Sequence, residues 1–442
     1  MRFLLWLLAT IVTSCYFFPF SLSILPFANS KMILAAIGLV ILGVRIALRK
    51  DSMVDKRLVV LTIWAFAVSI IAFAAAVYNN TNDYTYATYF MSMWVWLGGA
   101  YTTLWIMKLV HGKVTVPIVV NYLLAVCVLQ CILALWFDHS ASAENWYQGK
   151  FSGDGFMAGV EDRLHGIGCA LDVAGFRMAA VITLTSYILV EANREGKSWL
   201  VLLYFLAIGF VFVVGNMIAR STMVGLAVGG VYVVYSFLFR QDGKGISLLG
   251  KALAVLIVAI PFTVYLYNTN SGFHDNLRFG FEGFFNWYET GEWSTNSNNI
   301  LKNMVVWPES TKTWLIGDGY LNNPLDEGLD SYDPFYSGPS FKGFYMGTDI
   351  GYCRFLFYFG IFGLLLFMSY FVVATVDLMQ RFPKYRVMFL LLLALNFIEW
   401  VKVATDLFVV FAPFLCLDNM EQDRTEDNTS SKTTIPASVL KT

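Results

Sequence analysis

Residues 347–363, "GTDIGYCRFLFYFGIFG", decide how this chain is read. The stretch is apolar and aromatic, as the mouth of a membrane-spanning helix should be, yet it carries Asp349 and Arg354 near its start. An Asp or Arg at the centre of a membrane helix costs roughly 2.5–3.5 kcal/mol on insertion scales. The two charges therefore belong at the membrane edge, beside something that holds them there. Composition agrees with a bilayer setting. The 442 residues are 57% hydrophobic and only 14% charged, with a mean hydropathy of +0.61. Soluble domains carry about 25% charged residues, so the expectation is an all-α polytopic membrane protein.

Apolar runs of about 20 residues suffice to cross a ~30 Å hydrocarbon core. Twelve are read, at 3–27, 32–48, 58–78, 86–108, 115–136, 174–192, 199–217, 221–239, 252–268, 349–378, 387–401 and 403–417. Arg2 before an apolar core has the look of a signal peptide. The run continues through Pro19 to Pro26 with no polar region, however, which makes it a spanning helix. Glu399, Lys402 and Asp406 interrupt the last two runs, which read as a short hairpin or as two full spans.

Basic residues fall in alternate connections: Arg49, Lys50, Lys56 and Arg57; Lys108 and Lys113; Arg194 and Lys197; Arg240, Lys244 and Lys251; Arg381, Lys384 and Arg386. The positive-inside rule puts this set, and Met1, in the cytoplasm. The connection "NNTNDYT" (79–85), which has no basic residue, lies outside. The organisation expected is nine helices over 1–268 with a smaller outer loop at 137–173, a large outer loop at 269–348, three helices over 349–417, and a disordered cytoplasmic tail at 418–442. A net charge of −1 gives no argument for a nucleic-acid partner. The six cysteines sit in or beside apolar segments without metal spacing and read as membrane-packed thiols.

Five arginines stand out near the outer boundary: Arg163 in "EDRLHGIGCALDVAGFR", Arg177 at its end, Arg220 in "GNMIARSTMVG", Arg278 in "DNLRFGFEGFFNWYE", and Arg354. The guanidinium is a planar fork of donors that stays charged and matches phosphate oxygens two at a time. A cluster at this depth suits a lipid-linked diphosphate whose tail remains in the bilayer. Each arginine taken singly also reads as a snorkelling helix-end charge or a partner for Asp162, Asp172 or Asp349. The large outer loop is rich in aromatics and amides. Trp287, Trp293 and Trp314, with Tyr352 beyond the loop, are candidate sugar contacts, and the same residue types also make up interfacial belts. Asp349 is the leading general base for a sugar hydroxyl, with helix capping as its structural alternative. His165 is the second candidate base, and Glu282 and Asp318 are weaker ones. The sequence contains no Walker loop, HExxH, nucleophile elbow or outer-loop Asp-x-Asp pair. The reading calls for no metal and no cofactor, and leaves arginine to stabilise a leaving diphosphate.

The segments "EDRLHGIGCALDVAGFR", "ARSTMVGLAVG", "FNWYETGEWSTNSNNILKNM", "TKTWLIGDGY" and "TDIGYCRFLFYFGIFGLL", taken in order along 161–366, resemble the bacterial O-antigen repeat-unit polymerases, relatives of the O-antigen ligases. The resemblance implies a GT-C-like glycosyltransferase of the inner membrane. Such an enzyme moves the growing glycan from undecaprenyl diphosphate onto the next lipid-linked repeat at the periplasmic face, and a chain-length regulator protein is a further partner. By the resemblance, Arg163 corresponds to the arginine that opens the first outer loop, and Arg220 to that of the Ser/Ala-Arg turn. Around Thr348–Tyr352 the related ligases carry a histidine motif; this chain has Asp349 instead, which favours polymerase over ligase. The alternatives are a ligase acting on lipid A-core and, in a different class, a lipid-linked oligosaccharide flippase. A flippase should place charges along a cavity reachable from both faces, and no internal repeat of hydropathy is seen.

Overall fold

A computed structural model describes residues 2–48, 56–152, 163–239, 245–322 and 345–417. The helices are α1 (Arg2–Phe17), α2 (Ser30–Ala47), α3 (Lys56–Tyr78), α4 (Tyr89–His111), α5 (Val116–His139), α6 (Ala141–Lys150), α7 (Leu171–Arg194), α8 (Ser198–Ile218), α9 (Thr222–Phe239) and α10 (Gly245–Thr269). Four short ones follow: α11 (Ser271–Gly280), α12 (Glu282–Thr290), α13 (Asn296–Asn303) and α14 (Thr311–Ile316). The bundle closes with α15 (Gly351–Arg381), α16 (Arg386–Glu399) and α17 (Phe408–Leu417). Among the described residues, α3, α5, α7, α8, α9, α10 and α15 are long and apolar enough to cross a membrane. The chain is thus a helical, multi-pass type of protein. The expected tail at 418–442 and the segments 153–162 and 323–344 of the outer loops lie outside the described residues.

Two expectations change. The run at 3–27 is not one helix: α1 stops at Phe17. Pro19 lacks an N–H and crowds the carbonyl four residues back, so the helix cannot continue through it. The chain turns instead into β1 (Ser21–Leu22) and β2 (Leu25–Asn29), which with β3 (Phe151–Ser152) form a small antiparallel sheet of order β2-β1-β3. The helix entered by "GTDIGYCR" is also broken, at Phe359 and Gly360. Gly360 has φ +68°, and a Cβ there would lie 2.3 Å from the Leu315 carbonyl oxygen at the end of α14. The break frees carbonyls, and the following turn answers them: the Asp318 N–H donates to Phe357 and the Gly319 N–H to Tyr358. Buried irregular backbone at membrane depth is tolerated when the protein itself supplies such partners.

Helix α7 is almost wholly buried. It packs closely on α9 because Gly225 and Gly229, four residues apart, present no side chain: a Cβ on Gly225 would lie 2.4 Å from the Ala179 backbone, and one on Gly229 2.5 Å from Ser186 Oγ. Small residues at this spacing let membrane helices approach where apolar burial alone gives no drive. The two ends of α7, about 36 Å apart, differ in character. At its C-terminal end Lys384 pairs with Glu195 (3.2 Å), and Arg57 and Arg381 both reach Asp377. The basic connections at 56–57 and 381–384 therefore meet at one end of the bundle, with 191–197. Arg381 also donates to the Leu415 carbonyl (2.9 Å), so α16 leaves this end and α17 returns to it. The N-terminal end of α7 carries the site.

Candidate functional site

Two cavities of about 310 Å³ each adjoin at that end. Their common wall is Arg163, Arg220 and Phe279. Arg163 precedes α7, Arg220 sits in the α8–α9 turn, and Phe279 comes from α11. Both guanidiniums lie against the Phe279 ring, at 5.0 Å for Arg163 and 4.8 Å for Arg220. A cation over an aromatic face gains about 0.5–2 kcal/mol, more as water is excluded. Phe279 thus helps to hold two like charges close together. Burial, and then the neighbouring Arg163 charge, push the Arg220 pKa down, with Asp172 acting in the opposite direction. An arriving anion would relieve that repulsion.

The outer chamber adds Arg278, Glu282, Phe285, Asn286 and Asn296. Glu282, at the start of α12, pairs with Arg220 and also accepts from the Asn296 N–H (3.2 Å). Arg278 makes a two-pronged contact with Glu289 (2.8 and 3.0 Å) and lies over Phe285 (4.8 Å). Phe285 also lines an apolar groove of about 710 Å³ between α8 and α10, roofed by α11 and α12, whose walls include Phe205, Phe212, Val255 and Ala259. A cluster of guanidiniums thus shares the Phe285 ring as a wall with an apolar groove.

The inner chamber adds Asp172, Ser297, Asp349 and Lys402, against apolar Ile300, Leu301, Met304 and Val403. Lys402, in the turn after α16, binds Asp172 at the start of α7 (2.7 Å). Asp349, two residues ahead of α15, makes no side-chain hydrogen bond or ion pair among the described residues. Its pKa is raised, chiefly by burial and further by the Asp172 charge, while Arg354 and Lys402 pull it down. Two carboxylates thus share one chamber in different settings: Asp172 is ion-paired with a lysine, whereas Asp349 has no such partner among the described residues.

Of the expected site residues, the cavities bring together Arg163, Arg220, Arg278 and Asp349. Glu282, the weaker candidate base, also lines the outer chamber, and the others stand elsewhere. Arg177 is buried, donates to the Phe17 carbonyl (2.7 Å) and lies near Trp96, with buried Glu399 as its main neighbouring negative charge. Arg354 is 5% exposed beside the Leu321 carbonyl, and it lines neither cavity. Asp83 of the "NNTNDYT" segment accepts from the N–H of Leu321 (2.8 Å) and is one of its neighbouring charges. His165 faces Glu144 (3.3 Å) and the rings of Tyr147 and Phe137, away from both chambers. Trp287 is exposed on α12, Trp293 meets Phe284 edge-on, and Trp314 stacks on Trp307 at 6.0 Å. The Tyr352 hydroxyl donates to the Phe397 carbonyl (2.9 Å) within the bundle. Asp318 accepts from Lys312 and Thr313 and is committed to the turn after α14. Phe279, Asp172 and Lys402 are site residues that the sequence reading does not single out.

No protein-family model matches this chain, and neither does any curated protein or solved structure.

Proposed function

We propose that the chain polymerises lipid-linked oligosaccharide repeats, as an O-antigen-type polymerase of the bacterial inner membrane with a GT-C-like architecture. The observation that carries this reading is the adjacency, across the Phe285 ring, of the arginine chamber and the 710 Å³ apolar groove. A ligand filling both must join an anionic group to a long hydrocarbon, and undecaprenyl diphosphate has that chemistry. The seven long apolar helices, with α1, α2, α4, α16 and α17, make twelve passes. The positive-inside rule then turns the cavities to the periplasm.

In this mechanism Arg163, Arg220 and Arg278 bind the diphosphate of the donor. Glu282 and Glu289 hold two of those guanidiniums in place until the more highly charged group displaces them. The acceptor hydroxyl attacks the anomeric carbon and gives its proton to the Asp349 carboxylate. A new carbon–oxygen bond forms as the bond to diphosphate breaks, and its electron pair leaves with the diphosphate, whose charge the arginines stabilise. One displacement inverts the anomeric centre. The glycolipids of a strain lacking this protein test the reading. Single repeats capped onto lipid A-core are expected. Long glycan stranded on undecaprenyl diphosphate would mean a ligase instead.

A further inference from the structure

We propose that the inner chamber is the acceptor subsite, which takes the terminal sugar of the incoming repeat, with the Asp172–Lys402 ion pair as its hydroxyl-binding edge. The inference rests on the glycosyl-transfer reading and assigns the half of the site that the donor leaves empty. Three features separate the chambers. Beyond the shared arginines, the inner one carries two carboxylates, Asp172 and Asp349, against one ammonium, Lys402, which disfavours a diphosphate. It shares no lining residue with the apolar groove, whereas the outer chamber shares Phe285. Its walls also differ in kind: Ile300, Leu301 and Met304 offer an apolar surface for the C–H face of a sugar ring, and Ser297, Asp172 and Lys402 offer polar groups for its rim.

The ion pair suits that rim. With Asp172 and Lys402 joined at 2.7 Å, one vicinal pair of hydroxyls can donate to the carboxylate and accept from the ammonium without leaving either charge unpaired. Asp349 then faces a third hydroxyl, the one that attacks. Lys402 binds the sugar rim and does not touch the reacting atoms.

The test uses full-length protein in lipid nanodiscs, with farnesyl diphosphate as the probe for the donor half. Elongation is followed with lipid-linked repeats extracted from a strain lacking the protein. Wild type should bind farnesyl diphosphate, and Arg220→Gln and Arg278→Gln should weaken it tenfold or more. Lys402→Met and Asp172→Asn should bind it within twofold of wild type, while the elongation KM for repeats rises at least tenfold. Lys402→Arg should recover much of that loss. The unchanged probe affinity also certifies that each variant is folded. Tenfold weaker probe binding by Lys402→Met in a protein of unaltered Tm would place the diphosphate in the inner chamber and overturn the assignment. So would wild-type elongation kinetics in both Lys402→Met and Asp172→Asn. Absence of probe binding by wild type would instead overturn the parent reading.

Discussion

Asp349 tests the account at the scale of one residue. As a general base it must be ionised, and its pKa lies above the ordinary Asp value, about 3.9, because burial and Asp172 oppose its charge. The sign follows: elongation is intact above the raised pKa and is lost as pH falls through it. The acid limb of kcat/KM is therefore expected above the ordinary Asp value. Lys402→Met, by removing a charge that pulls this pKa down, should move the limb further up. Asp349→Asn keeps an oxygen in place but cannot take the proton. It should fold and bind farnesyl diphosphate normally while elongation falls by about 10²–10⁴. Normal elongation by Asp349→Asn, or an acid limb at the ordinary Asp value, would remove the residue from the mechanism. The sequence marks Asp349 because a charge at the mouth of an apolar run is conspicuous. It does not mark Lys402: that lysine reads as an interruption between two weak spans, and its partner Asp172 is 230 residues away. Phe279 is hidden for a related reason, since one aromatic among the many of its loop looks like the rest until two arginines converge on it.

At the scale of elements, the apolar runs announce the helices well, and what fails is where they stop. Local chemistry explains α1, since Pro19 ends it, and hydropathy averaged over a window passes over a single proline. The break in α15 is less visible. Gly360 lies in an aromatic run that reads as continuous, and the cause is tertiary: the end of α14 presses against it, and the N–H groups of Asp318 and Gly319 donate to the freed carbonyls of Phe357 and Tyr358. The break lets the short segment from Gly351 to Tyr358 carry Asp349 to the inner chamber while the remainder of α15 crosses the bundle. Gly360→Ala should therefore destabilise the protein. A side chain at φ +68° costs about 1–3 kcal/mol, and the 2.3 Å approach to the Leu315 carbonyl adds to it. A lowered Tm in detergent is expected, together with loss of elongation. An unchanged Tm would show that the helix can close across the break and that the break does not hold the site.

For the whole molecule, labour is divided between the two ends of α7. One end carries ion pairs built from the basic connections: Lys384 with Glu195, and Arg57 and Arg381 with Asp377. The other collects an apolar groove, an arginine chamber and a carboxylate chamber from segments as distant in sequence as Arg163 and Lys402. The central claim is that these three compartments together lengthen a lipid-linked glycan. The direct test supplies purified full-length protein in nanodiscs with undecaprenyl-diphosphate-linked repeats, in chelator and without any other enzyme, and resolves the products by size. A ladder spaced by one repeat is expected, with undecaprenyl diphosphate released at each step. Repeats that remain single under these conditions, with the protein folded and farnesyl diphosphate bound, would contradict it.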